Sequence, residues 1–314
     1  MITKILLLDK IPDKGIEVLK TFAEVVDGSS YNPKEILREI SKYNGVIVSS
    51  GNIINQEFLD SAKNLRFIGR AGSGLDNINV ELVCKRKIEL ITSPEGNACS
   101  AAEYTLCMMI LLSHKLIEAH NNSKKNNFQR YLCQGRNIKE LTVGIVGLGY
   151  IGTEIVKMIS PLVKKVIGYS PRLKNNFHEY KNFEYVNNLD SLLYRSDIVS
   201  LNCSLNKDTE YLFNETTFSK IKKGCILINT SRGKVIDDKA LLKAFDQGII
   251  SFAALDTLFT DPNYNLSLNE SMYSHFLINH PNVFYTPHIA VYTKDAQEEV
   301  AINLSNKIKK FLSM

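Results

Sequence analysis

The segment Thr142-Val143-Gly144-Ile145-Val146-Gly147-Leu148-Gly149-Tyr150-Ile151-Gly152 constrains the fold more than any other stretch of the chain. A β-branched apolar run leads straight into G-x-G-x-x-G, and the pattern that follows, as far as Ile159, has the period of a helix. Glycine serves a different purpose at each of its three places. Gly147 permits the tight turn, Gly149 lets the main chain approach a pyrophosphate, and Gly152 lets helix and strand pack closely. The helix start then offers free N–H groups, those of Tyr150 and Ile151 among them, and a partial positive charge. A bare glycine pattern is weak evidence. Between this strand and this helix it reads as a dinucleotide site in a doubly wound unit.

The rest of the chain alternates in the same way. Ahead of the glycine turn, strands are expected at 4–9, 45–50, 65–68 and 88–91, and helices at 13–22 and 32–42, the second with Asn32 as cap and Pro33 in its first turn. A long helix is expected from Ser100 to Asn121, with Ser100 as cap and Glu103 in the capping-box position. After a polar stretch to Lys139, further strands are expected at 142–146, 165–169, 198–202, 225–229, 251–255 and 283–286. A βαβα rhythm implies a parallel sheet with both faces covered. The fold class is therefore α/β, with two doubly wound units that change over near residue 98. A last helix, Thr293 to Leu312, is free to fold back onto the first unit.

A chain of 314 residues is long enough for two such cores. With 44% apolar and 23% charged residues it has the profile of a soluble globular protein. The net charge of +5 is modest and its lysines are scattered, so short clusters such as Lys124-Lys125 read as solvated faces and not as a nucleic-acid groove. The first apolar run, Ile5 to Leu8, is too short for a secretion signal, and Leu106–Leu112 falls far short of the roughly 20 residues that span a bilayer. A cytoplasmic protein without a membrane partner is the expectation. The six cysteines form no C-x-x-C pair and read as reduced, mostly buried thiols, with no metal site among them.

Three further segments carry chemistry. Thr230-Ser231-Arg232-Gly233 follows a strand, Asp256 ends one, with Asp261 shortly after it, and His288 stands after Tyr285-Thr286-Pro287, again just past a strand. In an open parallel sheet the ligand crevice lies outside the carboxyl ends of the strands, so these groups share a rim with the glycine turn. A guanidinium can hold a carboxylate through two parallel bonds and polarise a neighbouring carbonyl. A histidine can protonate that carbonyl oxygen as hydride arrives, and an adjacent carboxylate favours the imidazolium. Each residue alone has an ordinary explanation, as a surface ion pair, a turn former or a loop residue. Together, each in its place, they point to a dehydrogenase.

At this point the chain resembles the D-isomer-specific 2-hydroxyacid dehydrogenases, the family of phosphoglycerate dehydrogenase, hydroxypyruvate reductase and D-lactate dehydrogenase. The resemblance rests on Gly69-Arg70-Ala71-Gly72-Ser73-Gly74-Leu75-Asp76-Asn77, Pro94-Glu95-Gly96-Asn97, Ala101-Ala102-Glu103, the glycine turn, Thr230-Ser231-Arg232-Gly233, Ala254-Leu255-Asp256 and Thr286-Pro287-His288, in that order along nearly the whole chain. It implies a Rossmann cofactor domain, 99–289, inserted into a flavodoxin-like substrate domain of 1–98 and 290–314. It also implies an NAD(P) cofactor, and a homodimer joined through a helix matching Ser100–Lys115. By the match, Arg232 binds the substrate carboxylate, Asp261 assists and His288 donates the proton. Asp256 holds the nicotinamide amide, Ser73 and Gly74 offer main-chain N–H groups to a small 2-oxo acid, and Arg70 adds charge. Cys203, Thr230 and Ser231 lie on the cofactor side.

The chain also departs from the family pattern. The assisting acid is usually Glu, one methylene longer than Asp261. Ser170 replaces the acid expected at the end of the second cofactor-domain strand, with Arg172 two residues on, which favours NADP(H). Asn202-Cys203-Ser204 stands where His-x-Pro is usual, and Ser49-Ser50 where phosphoglycerate dehydrogenases commonly have an arginine. Ala290-Val291-Tyr292-Thr293 looks more like the D-lactate enzymes. Two alternatives stay open: a phosphoglycerate dehydrogenase, and a corepressor-like protein that senses a dinucleotide without turning it over.

Overall fold

The computed structural model describes residues 2–172, 177, 179–258 and 275–313. It divides into two compact units, residues 1–98 with 292–314, and residues 99–291.

The first unit holds a five-stranded parallel sheet in the order β2-β1-β3-β4-β5, formed by β1 (Thr3–Leu7), β2 (Ala23–Asp27), β3 (Gly45–Val48), β4 (Phe67–Arg70) and β5 (Glu89–Thr92). This is the flavodoxin-like order. The run Ile5-Leu6-Leu7-Leu8 is apolar throughout because both faces of the sheet are covered. Ile5 and Leu7 join one cluster with Leu19, Leu304 and Ile308; Leu6 and Leu8 join the other with Ile36, Phe58 and Val83. Four helices connect the strands: α1 (Asp13–Lys20), α2 (Pro33–Glu39), α3 (Gln56–Ser61) and α4 (Val80–Lys85). At α2, Asn32 accepts from the Glu35 N–H while the Glu35 carboxylate accepts from the Asn32 N–H, a complete capping box. The C-terminal helix, Lys294–Leu312, returns to this unit, and Ser305 Oγ donates to Gly15 O at 2.9 Å.

The second unit begins with α5 (Ala98–Ser113) and α6 (Leu116–Lys124). The expected single helix to Asn121 is thus two. Lys115 takes a left-handed conformation at φ 53°. The last carbonyl of α5, Ser113 O, accepts instead from Arg136 N at 2.8 Å, so the polar segment after α6 folds back over the break. The sheet that follows has seven parallel strands in the order β12-β11-β10-β9-β6-β7-β8. They are β6 (Thr142–Val146), β7 (Lys165–Tyr169), β8 (Phe183–Tyr185), β9 (Ile198–Leu201), β10 (Cys225–Asn229), β11 (Ile250–Leu255) and β12 (Val283–Tyr285). Counted from β6 this is the Rossmann order, extended by one strand, with its reversal between β6 and β9. The longer helices beside it are α7 (Tyr150–Ile159), α8 (Leu189–Leu193), α9 (Glu215–Phe218) and α10 (Asp238–Asp246), so the C-terminal helix is α11.

Two corrections concern details. Strands β2 and β8, absent from the sequence reading, are short edge strands without a fully buried residue, and so carry no strong apolar run. The cysteines are all free, but only Cys225 is fully buried; Cys84, Cys99 and Cys107 lie on exposed helix faces.

Candidate active site

In the second unit all strands are parallel, so their carboxyl ends form one edge, and the expected residues follow those ends in turn. At the reversal of strand order, Gly147 turns with φ 98°. A Cβ there would lie 2.8 Å from the main chain of Asn202 and Cys203, so the glycine turn sits directly against the loop after β9. Gly152 is tighter still: its Cβ would lie 2.0 Å from Gly147 O. Gly149 differs from both. It caps α7 without a side-chain bond, no acid occupies the first turn, and a Cβ there would meet nothing within 4 Å. Clear space therefore lies beside Gly149 at the positive end of a helix, which fits a dinucleotide pyrophosphate.

Ser170, past β7, is buried, and its carbonyl accepts from Tyr185 Oη at 2.6 Å. Arg172 is exposed and pairs at 3.6 Å with Asp208, a neighbour the sequence reading did not anticipate. Past β9, burial pushes the Cys203 thiol up to about 11, so it is a neutral wall and not a nucleophile. Thr230 Oγ1 points to Asn202 Oδ1 at 3.4 Å.

Past β10 the Thr230–Arg232 turn is shaped by a residue that sequence reasoning missed. Asn229 is fully buried at the end of an otherwise apolar strand. Its Oδ1 accepts from Ser231 N at 3.0 Å and Ser231 Oγ at 2.7 Å, while its Nδ2 donates to Arg232 O at 3.0 Å. Arg232 Nη1 donates to Ser231 O at 2.7 Å. A polar side chain ending an apolar run just before the turn was the available signal.

Asp256 is 1% exposed. Its Oδ1 accepts from Thr286 Oγ1 at 2.6 Å and Ile289 N at 2.8 Å, and its Oδ2 accepts from Ala290 N at 2.9 Å. Its main-chain oxygen accepts from His288 N at 2.9 Å. Burial pushes the carboxyl above its usual range, while the three donors and the charge of His288 pull it down. His288 itself is left-handed, with φ 58°. The Asp256 carboxylate thus holds the two N–H groups that follow the histidine; its Oδ2, with a single bond, keeps acceptor capacity.

Asp261 lies outside the described residues. Arg70, Ser73 and Gly74 belong to the first unit. Arg70 ends β4, 8% exposed, and its guanidinium donates to Ala71 O. Ser73 and Gly74 follow in the loop opened by Gly72 at φ 127°.

Comparison with known proteins agrees with this geometry. A family model described as the D-isomer specific 2-hydroxyacid dehydrogenase NAD binding domain matches residues 106–290. D-3-phosphoglycerate dehydrogenase 2, chloroplastic, of Arabidopsis thaliana is 31% identical over 306 residues, covering 97% of this chain and 48% of that protein. The chain spans about half the length of the curated relatives it matches. Among solved structures, the D-lactate dehydrogenase of Aquifex aeolicus complexed with NAD and lactic acid superposes with TM-score 0.86 at 28% identity, covering 99% of this chain and 96% of that one. An acyclic imino acid reductase in complex with NADPH and D-Arg superposes with TM-score 0.87 at 25% identity, covering 99% and 97%. The motifs, the two strand orders and the matched residues agree: the chain belongs to the D-isomer-specific 2-hydroxyacid dehydrogenases and carries their nicotinamide dinucleotide-binding domain.

Proposed function

We propose that the chain is a nicotinamide-dependent dehydrogenase that interconverts a small 2-oxo acid and its D-2-hydroxy acid. The observation that carries the reading is the order of groups along one sheet edge, with the open α7 start, the Asn229-shaped Arg232 turn and the Asp256-held His288 loop each following a strand end. Bound reduced nicotinamide supplies the hydride. Arg232 holds the substrate carboxylate, and His288 gives its proton to the carbonyl oxygen and takes it back in the reverse direction. Asp261 is the acid that the family match sets beside His288. Gly147, Gly149, Tyr150, Ile151 and Gly152 bind the pyrophosphate, with Cys203, Thr230 and Ser231 along the same edge. Residues 1–98 with 290–314 form the substrate domain, Arg70, Ser73 and Gly74 included, around a cofactor domain of 99–289.

The cofactor is NADP(H) in preference to NAD(H). Ser170 lacks the charge that repels a 2′-phosphate, and Arg172 needs only to exchange an exposed partner, Asp208, to meet one. A relative that binds NADPH supports this. The exposed apolar face of α5 and the start of α6, with Leu106, Cys107, Ile110 and Leu116, is the seat of a second copy of the chain.

The substrate carries no phosphate. Curated relatives named D-3-phosphoglycerate dehydrogenase support the opposite reading. However, the Asp9 carboxylate lies 2.6 Å from Ser49 N and 3.1 Å from Asn52 Nδ2, which sets negative charge beside the position where phosphoglycerate dehydrogenases commonly have an arginine. Loss of NADPH absorbance with a panel of 2-oxo acids tests the whole reading. Turnover of pyruvate-like acids is expected. Activity confined to 3-phosphohydroxypyruvate would overturn the substrate class, and no turnover with any of them would favour a dinucleotide sensor.

A further inference from the structure

Helix α5 touches the His288 loop at two points, one on each side of the histidine. Ser100 Oγ, buried, donates to Ala290 O at 2.9 Å. One turn along the same helix face, Tyr104 Oη meets Thr286 Oγ1. Counting protons gives the direction of this second contact. Thr286 has one hydroxyl proton and gives it to Asp256 Oδ1 at 2.6 Å, so at Tyr104 the phenol is the donor. Burial lifts the Tyr104 phenol well above its usual 10.0, and it stays protonated. The bonds therefore run one way, from Tyr104 to Thr286 to Asp256, whose carboxylate then takes the N–H groups of Ile289 and Ala290. His288 sits inside this frame at φ 58°, a conformation that a residue other than glycine keeps only when its surroundings impose it.

We propose that Tyr104 is a positioning residue for His288, acting through Thr286 and Asp256, while Ser100 grips the far end of the same loop. This rests on His288 being the proton donor. Among the described residues, the titratable groups facing the chain of bonds are Asp256 and Cys107 toward Tyr104, and His288 toward Asp256. The direction of the effect follows from the balance at Asp256. Burial pushes its carboxyl up, and of the groups that pull it down the Thr286 hydroxyl acts most strongly. A weaker donor lets Asp256 take a proton at higher pH, so the His288 imidazolium loses one of the negative charges that favour it and gives up its own proton at lower pH. Reduction of the oxo acid, which needs that proton, then fails earlier as pH rises.

The test compares Tyr104→Phe, Thr286→Val and Thr286→Ser with wild type in kcat and KM across pH, in the dissociation constant for NADPH by fluorescence titration, and in Tm. Tyr104→Phe keeps the ring and removes only the donor. It should lower kcat about 3- to 10-fold, as expected for one lost hydrogen bond. The midpoint of the alkaline fall should move to lower pH, with NADPH binding within about twofold of wild type. Thr286→Val should exceed this in both effects, and Thr286→Ser should restore wild-type behaviour. An unshifted midpoint in Tyr104→Phe overturns the proposal, whatever happens to kcat or Tm. His288→Asn, measured alongside, keeps the two ideas apart. Normal turnover there defeats the assignment of His288, whereas an inactive His288→Asn with an unshifted Tyr104→Phe defeats only the role of Tyr104.

Discussion

Replacing Gly149 and Gly152 one at a time by alanine should separate cofactor binding from folding. At Gly149 the φ of −76° suits alanine, and its Cβ would meet no heavy atom within 4 Å. The folded state is then undisturbed, and the smaller entropy of the unfolded chain stabilises by about 0.4–1 kcal/mol. For a unit of this size each kcal/mol moves Tm by about 2–4 °C, so Tm should hold or rise slightly. The same methyl stands where a phosphate must come within about 3 Å of the first N–H groups of α7. Losing one charge-assisted hydrogen bond there, worth about 1.5–3 kcal/mol, should raise the dissociation constant of NADPH about 10- to 100-fold.

Gly152→Ala should behave otherwise. Its Cβ would fall 2.0 Å from Gly147 O and 3.0 Å from Gly147 C, both main-chain atoms that cannot rotate aside. The turn must retreat, and overpacking of this kind costs about 1–3 kcal/mol, a fall in Tm of about 2–12 °C. Cofactor binding should be lost with it, because the turn itself has moved. Fluorescence titration with NADPH and thermal scans on both variants decide the matter. A Gly149→Ala protein that binds NADPH as tightly as wild type would refute the placing of the pyrophosphate. A Gly152→Ala protein with unchanged Tm would refute the close packing of α7 on the turn.

Other substitutions should fail in distinct ways. Arg232→Ala should raise KM for the oxo acid strongly, whereas His288→Ala should act mainly on kcat, by about 10² to 10⁴, so matched losses in both parameters for both variants would count against separate roles. Ser170→Asp should cut kcat/KM with NADPH about tenfold or more by repelling the 2′-phosphate, and a wild type that prefers NADH would remove the basis of that reading. Asp197, nearly buried, accepts from Thr142 N, Arg136 Nη1 and Lys222 Nζ at 2.8–3.0 Å. Burial opposes its ionisation, but these partners outweigh it and hold the carboxyl below its usual 3.8. The stabilisation is complete above that value and lost as pH falls through the lower folded value. Asp197→Asn should therefore lower Tm at pH 7, by about 4–12 °C for about 2–3 kcal/mol, and by much less near pH 3; an equal loss at both would show that charge is not involved.

What the sequence made legible was the set of groups that stand at strand ends, because strand, turn and helix each leave a local signature. That alternation implies parallel sheets and the common edge of Gly147, Ser170, Arg232, Asp256 and His288, whereas the strand orders, with β2 and β8 at two of the edges, come from the structure. Local signatures fail where a residue's partner is far away. Tyr104 and Thr286 are 182 residues apart, Ser100 and Ala290 are 190 apart, and nothing in the apolar pattern of α5 marks which of its polar side chains turns inward. Ser100 reads from its neighbours as a helix cap, yet the helix starts two residues earlier and the hydroxyl serves another loop. The edge strands β2 and β8 and the break at Lys115 escape for a related reason. Half-buried strands need no continuous apolar run, and a helix can end on a contact from Arg136 instead of on a stop residue.

Asp256 shows how this division bears on mechanism. Its place past β11 is a sequence fact, and an acid at such an edge invites a role toward the ligand. Its bonds are a tertiary fact, and three of them go to the loop that carries His288. A carboxylate so engaged acts first on the histidine, by holding its loop and offering its imidazolium a counter-charge. With His288 as the proposed proton donor, the residues that orient its loop stand just past β11, just past β12 and on α5, although the histidine itself stands in a three-residue motif. Substitutions of Ser100 and Tyr104 in α5, remote in sequence from Thr286-Pro287-His288, are therefore expected to alter the pH dependence of the proposed reaction.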